Sequence, residues 1–220
     1  MRLLKLTTLV ALSALLLLSV PAFAGDIWTV IPQPNAQYTG ETTNYGGGDG
    51  SLNQITSLGP FLTYSNPQTE VAVGSSWATW NCPPATESCT PNALWNQGFS
   101  TLHITVGGNF NTAGFELEPD QFQQEDVQAT FNASDGMSFT LDLMPNGSGG
   151  ALLYAVQDDT PGSHIVSIDI VDNAGDDFAT AQYRLGNSGT TGTTPEPSSM
   201  ILLGSGLLGV VGFMRRKMNL

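Results

Sequence analysis

The chain has 220 residues, of which 19 are acidic and 6 basic, for a formal net charge of −13. The basic residues are concentrated at the two ends: residues 25–194 hold 18 acidic residues against Arg184 alone, a net charge of −17. A surface of one negative sign repels nucleic-acid phosphates and anionic headgroups, so nucleic-acid binding is excluded, and it attracts divalent cations.

Arg2 and Lys5 precede an apolar run over 6–20, and Ala22-Phe23-Ala24 follows as an A-x-A cleavage site. Residues 1–24 therefore read as a secretory signal peptide removed by signal peptidase, with a mature chain beginning at Gly25.

The opening of the mature chain, 25–67, is rich in Gly, Asn, Thr and Pro, with turn signals at Gly46-Gly47-Gly48 and Asp49-Gly50. It is expected to be loop with short edge strands. A strand is predicted over 70–80, where Val71, Val73 and Trp77 share one parity, and another over 99–106, where Leu102, Ile104 and Val106 alternate with Thr101, His103 and Thr105. Further strands are predicted over 113–117, 127–131, 137–143, 151–156, 165–171 and 178–185, separated by segments carrying Asn, Asp, Gly and Pro. Short strands, regular turn signals and no amphipathic helical pattern predict an all-β domain over 25–186, an antiparallel β-sandwich of jelly-roll type. A Gly/Ser/Thr-rich spacer over 187–194 separates it from the tail.

Cys82 and Cys89 lie in the exported part, where an oxidising compartment favours a disulfide closing the Pro83-to-Ser88 loop, worth about 2 kcal/mol. Trp77, Trp80 and Trp95 flank that loop. An exposed indole can stack on a sugar ring, but an extended strand would point Trp77 and Trp80 to opposite faces, placing at least one in the core.

Catalytic signatures are sparse. The exported part has His103 and His164, no lysine and no nucleophile-elbow pattern, and His103 falls on the solvent parity of its strand. Glu116, Glu118, Asp120, Asp142 and Asp169 can supply a carboxylate pair for glycoside hydrolysis if they converge, and Glu116 and Glu118 share a face if their segment is extended. Asp169, Asp172, Asn173, Asp176 and Asp177 crowd a loop between two predicted strands with Gly175 at the turn, offering calcium the hard oxygen ligands it prefers. The alternative is a solvated turn that uses Asp and Asn for local hydrogen bonds.

The tail carries the most specific pattern. Pro195-Glu196-Pro197 precedes an apolar run over 200–214, and Arg215, Arg216 and Lys217 follow. Those 15 residues make a helix of about 22 Å, short of a ~30 Å hydrocarbon core, so a transmembrane helix here needs snorkelling flanks or a thinned bilayer. The basic cluster keeps its end in the cytoplasm and the prolines hold Glu196 on extended chain outside. This order resembles the PEP-CTERM sorting signal of exopolysaccharide-producing Gram-negative bacteria. The resemblance implies transit through the inner membrane and processing of 195–220 by an exosortase-type membrane protease, the alternative being a tail anchor that is never cut. The run Gly114-Phe115-Glu116-Leu117-Glu118-Pro119, with Asp177-Phe178-Ala179-Thr180-Ala181-Gln182-Tyr183-Arg184, is similar to the β-sandwich of many PEP-CTERM proteins. It implies fold and localisation but no catalytic residue.

The expectation is a non-enzymatic cell-surface or matrix protein, structural or glycan-binding in an exopolysaccharide. A secreted carbohydrate-active hydrolase is the alternative, with an ice- or surface-adhesion protein behind it, since no regular Thr array is present. Intact-mass spectrometry of envelope and matrix fractions should find a species beginning at Gly25 and ending near Pro195. A membrane-bound species that retains Arg215, Arg216 and Lys217 would instead be a plain tail-anchored domain.

Overall fold

Alternation of apolar and polar residues, interrupted at short intervals by turns, leaves this chain one economical solution: pair the strands antiparallel and close two layers over the apolar faces. A computed structural model of the chain describes residues 27–187. The elements are β1 (Trp28–Val30), α1 (Ala36–Glu41), β2 (Thr42–Gly46), β3 (Gln54–Leu58), β4 (Leu62–Ala72), β5 (Asn92–Trp95), β6 (Thr101–Phe110), β7 (Thr112–Pro119), β8 (Val127–Ala133), β9 (Ser138–Leu143), β10 (Leu152–Asp158), β11 (Ile165–Asp172) and β12 (Phe178–Gly186).

Hydrogen-bonded neighbours run in the order β1-β10-β7-β12-β5-β4-β6-β11-β8-β9, with β2 added to β12 and β3 to β4. The long strand β4 joins the layers. Its first residues, Leu62 to Tyr64, pair with β6, and its last, Thr69 to Ala72, pair with β5. β1, β10, β7, β12, β2 and β5 thus form one layer and β6, β11, β8 and β9 the other. The fold is the expected antiparallel all-β sandwich.

Phe115 sits at the centre of the core. Its ring is stacked on Tyr154 at 5.5 Å and on Tyr183 at 5.6 Å within its own layer, and lies 6.2 Å from Phe131 of the facing layer. Tyr154 Oη donates to the Val127 carbonyl across the layers at 3.1 Å, so the one polar atom this ring buries is satisfied. Leu102, Ile104, Ile168 and Ile170 close the core from β6 and β11.

β12 departs from strict alternation. Its register with β7 shifts between Ala181 and Arg184, and Gln182 there has φ 51°. This bulge inserts one residue and reverses the parity of the rest of the strand. Ala179 and Ala181 face outward, whereas Tyr183 and Leu185 turn into the core and Arg184 turns out.

Three expectations differ from the structure. The strand predicted over 70–80 ends at Ala72, because Gly74 at φ 81° turns the chain, so Trp77 and Trp80 are not on a strand. The opening segment contributes most of β4 and the six-residue α1, capped by Asn35, whose side chain accepts from the Tyr38 amide at 2.8 Å. β5 has no counterpart among the predicted strands, its four residues being too few to show a period. The signal peptide expected over 1–24 and the apolar segment over 200–214 lie outside the described residues. Among the described residues no helix is long and apolar enough to cross a membrane.

Replacing Phe115 by Ala should cost about 3–5 kcal/mol, since a buried ring with partners in both layers leaves a cavity that cannot collapse. Denaturant unfolding measures this, and a cost near zero would remove Phe115 from the centre of the core.

Candidate functional site

The outer face of the β10-β7-β12-β5 layer is made of unusually small side chains. Ala93, Ala151, Ala179 and Ala181 form its floor, and Trp77 and Trp80 pack down onto it with Val71. At Gly114 a Cβ would fall 2.3 Å from the Tyr38 hydroxyl, so only glycine lets α1 approach the sheet there. β7 is consequently buried along its whole length on both faces.

Glu116 and Glu118, two apart on β7, do share the outer face and are fully buried there. Each receives an indole N–H. Trp80 Nε1 donates to Glu116 Oε2 at 2.9 Å, and Trp77 Nε1 donates to Glu118 Oε2 at 3.2 Å. Glu116 Oε1 accepts from the Glu87 amide, and Glu118 Oε1 from Thr79 Oγ1 at 2.9 Å and the Gly149 amide at 2.8 Å. Burial pushes the Glu116 carboxyl up to about 7 against these donors, and raises Glu118 likewise. A carboxyl so raised would suit a general acid, but Glu116 is sealed beneath Trp80 and lies open to no substrate.

Cys82 and Cys89 are bonded, as expected, and close the loop that carries Glu87. Glu87 takes both arms of Arg184, Nε to Oε1 at 2.5 Å and Nη2 to Oε2 at 2.7 Å. Arg184 Nη1 donates to the carbonyls of Thr39 and Thr42, and its guanidinium lies 5.8 Å from the Tyr38 ring centroid. One cation thus ties the disulfide loop, the end of α1 and β12 together.

An open pocket of about 190 Å³ remains at the edge of this covering, lined by Ser76, Trp77, Thr79, Trp95, Asp120 and Phe122 among others. It is smaller than the roughly 300–1,000 Å³ of enclosed small-molecule sites. Trp77 is 7 % exposed and forms its inner wall, edge-on to Trp95 with centroids 6.0 Å apart. Trp95 is half-buried and its Nε1 donates to Asp177 Oδ2 at 3.1 Å, which fixes the ring. Phe122 stands at the rim, 69 % exposed, within a run of exposed glutamines. Burial, followed by the nearby Asp177, raises the Asp120 carboxyl above the usual range.

The other expected site residues are dispersed. Asp169 lies on β11, where its Oδ1 meets His103 Nδ1 at 2.6 Å and its Oδ2 accepts from Asn132 Nδ2 at 2.6 Å. Asp172 is buried, Asn173 donates to Asp126, and Asp177 also holds the Gly98 amide at 2.8 Å. Among the described residues no three His, Cys, Asp or Glu side chains converge on one point as a ready-made metal cluster. Of the five carboxylates weighed for hydrolysis, only Asp120 reaches the pocket; Asp142 contacts Asp126 on the far layer. Trp77 and Trp80 lie on the same face rather than on opposite ones, because the turn at Gly74 frees them from strand parity. Phe122 escaped sequence reasoning, though an aromatic ring within Gln121-Phe122-Gln123-Gln124 was the signal.

Residues 193–217 match the PEP-CTERM protein-sorting motif. The chain carries this sorting signal. It marks a protein exported to the cell envelope or surface and implies processing by an exosortase. No curated protein matches the chain. Among solved structures, TmCBM61 in complex with beta-1,4-galactotriose is 12 % identical with a TM-score of 0.39, over 60 % of this chain and 92 % of that one. CBM29_1, a family 29 carbohydrate-binding module from Piromyces equi, is 7 % identical with a TM-score of 0.34, over 75 % and 93 %. A family 11 module from Clostridium thermocellum with a mixed-linked tetrasaccharide is 9 % identical with a TM-score of 0.32, over 73 % and 97 %. These values are too low to carry a function across.

Glu116 makes stability depend on pH. Its folded-state value near 7 exceeds the unfolded 4.5, so the folded state holds the extra proton between them and stability falls as pH rises through that window. The loss is on the order of 3 kcal/mol. Thermal unfolding should give a higher Tm at pH 5 than at pH 8, and Glu116→Gln should reduce that difference, leaving the part due to other raised carboxyls such as Glu125; an unchanged slope would remove Glu116 as a source.

Proposed function

We propose that this exported surface domain binds a matrix polysaccharide at the pocket formed by Trp95, Asp120 and Phe122, and does so without chemistry of its own. The observation that carries this is the pairing of two aromatic rings with a carboxylate in an open, shallow depression. Pyranose rings present apolar C–H faces and a rim of hydroxyls. An indole held edge-on and an exposed phenyl ring supply apolar surface for the first, while Asp120, Ser76, Thr79 and the neighbouring glutamines supply partners for the second. The size suits one sugar unit of a chain that continues into solvent.

The strong negative charge favours a neutral glycan over an anionic one, since a uronate or sulfate would meet Asp120 and the nearby Asp176 and Asp177. Signal peptidase would release the chain after Ala24, and the sorting motif would deliver the domain to the matrix where such a polymer lies. A structural role in the matrix comes with the same binding, because a domain that holds polymer strands also organises them.

Affinity electrophoresis through gels containing exopolysaccharide from the host's own matrix tests this. Retardation of the wild type should weaken at least tenfold in Phe122→Ala, whose exposed ring contributes little to folding, and in Trp95→Ala. Migration of both variants like the wild type would overturn the assignment of the site, and absence of any retardation would overturn the function.

A further inference from the structure

We propose that Glu125 and Asp172, at the end of the sandwich where β8 begins and β11 ends, together hold a calcium ion. Each of these side chains belongs to a residue only 2 % exposed. Each uses one carboxylate oxygen conventionally. Glu125 Oε1 accepts from Gln123 Nε2 at 3.1 Å, and Asp172 Oδ1 accepts from the Ala174 amide at 2.8 Å. The second oxygens, Glu125 Oε2 and Asp172 Oδ2, are buried and meet no hydrogen-bond donor of the protein.

These carboxylates face one another: Asp172 pairs with Val127 and the Asn173 amide donates to the Asp126 carbonyl at 2.9 Å, which brings Glu125 beside Asp172. Burial first, and then the contact with Asp172, raises the Glu125 carboxyl, with Asp176 adding to the repulsion. Among the described residues no Lys or Arg side chain offsets the charge. The only Lys or Arg of residues 25–194 is Arg184, and it is engaged with Glu87. Two buried carboxylates without a counter-charge cost several kcal/mol, which a cation between the two lone oxygens removes.

The donor chemistry selects the ion. The oxygens are hard, and no cysteine or histidine is part of the pair, which disfavours zinc and copper. Asp172 opens the turn Asp172-Asn173-Ala174-Gly175, closed by the Gly175 amide on the Asp172 carbonyl at 3.2 Å, and Glu125 comes at the end of an irregular segment. Turns and irregular backbone of this kind suit the flexible, variable oxygen shell that calcium accepts and magnesium resists. With only two carboxylates, affinity falls at the weak extracellular end of the calcium range, about 10⁻⁴ to 10⁻³ M. Of the five residues expected from sequence only Asp172 enters, with Asp176 near enough to add to the repulsion; Asp169 and Asp177 are committed elsewhere. Neither Glu125 nor Asp172 lines the polysaccharide pocket, so the two sites stand or fall separately.

The test uses the full chain purified in detergent, stripped with chelator and dialysed, then unfolded thermally at pH 7.5 with calcium chloride or magnesium chloride at equal millimolar concentration. Calcium should raise Tm by several degrees and magnesium by much less. Glu125→Gln and Asp172→Asn should fold with Tm at or above that of the stripped wild type, because each relieves the facing charges, and should lose the calcium response. Asp135→Asn, in an exposed turn on the acidic surface, should keep it. A wild-type Tm indifferent to calcium would overturn the proposal in favour of a proton shared by the pair. An equal rise in the two site variants would overturn it in favour of diffuse binding to the acidic surface.

Discussion

The structure is governed by a shortage of positive charge. A domain with so many carboxylates and one guanidinium cannot neutralise its buried acids with ion pairs, so it stabilises them with neutral donors. Glu116 and Glu118 are held by two indole N–H groups, two backbone amides and a hydroxyl. This explains why Trp77 and Trp80 sit on a face floored with alanine: their N–H groups are the counter-dipoles that let β7 be covered. It also explains why Trp77 and Trp80 turn their polar edges inward and leave Trp95 and Phe122 to face the open pocket.

The single cation is used with matching economy. Arg184 reaches Glu87, two carbonyls at the end of α1 and the face of Tyr38, a set that needs the planar fork of a guanidinium and would defeat a lysine. It reaches them only because the bulge at Gln182 reverses strand parity. The same irregularity turns Tyr183 into the aromatic stack around Phe115. Core and covering are therefore set by one backbone departure, and a shift in either is felt by the other.

The sandwich itself was legible from periodicity. Segments such as 99–106 and 127–131 alternate cleanly because one face meets core and the other is more exposed, and each coincides with an observed strand, whereas 165–171 is a strand whose alternation is broken by a bulge between Ile165 and Ser167. Where alternation failed, a second layer had covered the outer face: β7 shows no solvent parity since Glu116 and Glu118 are as buried as Phe115 and Leu117. The sorting motif was legible because it is a local pattern. The pocket was not, since Trp95 at the end of β5 and the Asp120-to-Phe122 segment after β7 are brought together only by the pairing of both strands with β12. The crowding of acids after β11 was visible, but Glu125, the acid that faces Asp172, lies far back in the chain and had no local signature.

β12 is the last strand before the sequence runs on to the sorting motif, and it is interior to its layer, bonded along one edge to β7 and along the other to β5 and β2. A pull on the chain beyond Gly186 runs along this strand's axis. It loads the ladders on both edges in shear, so many hydrogen bonds must yield together rather than one after another. A terminal edge strand would peel. The placement of β12 therefore makes the point where the chain leaves the fold hard to unravel by pulling.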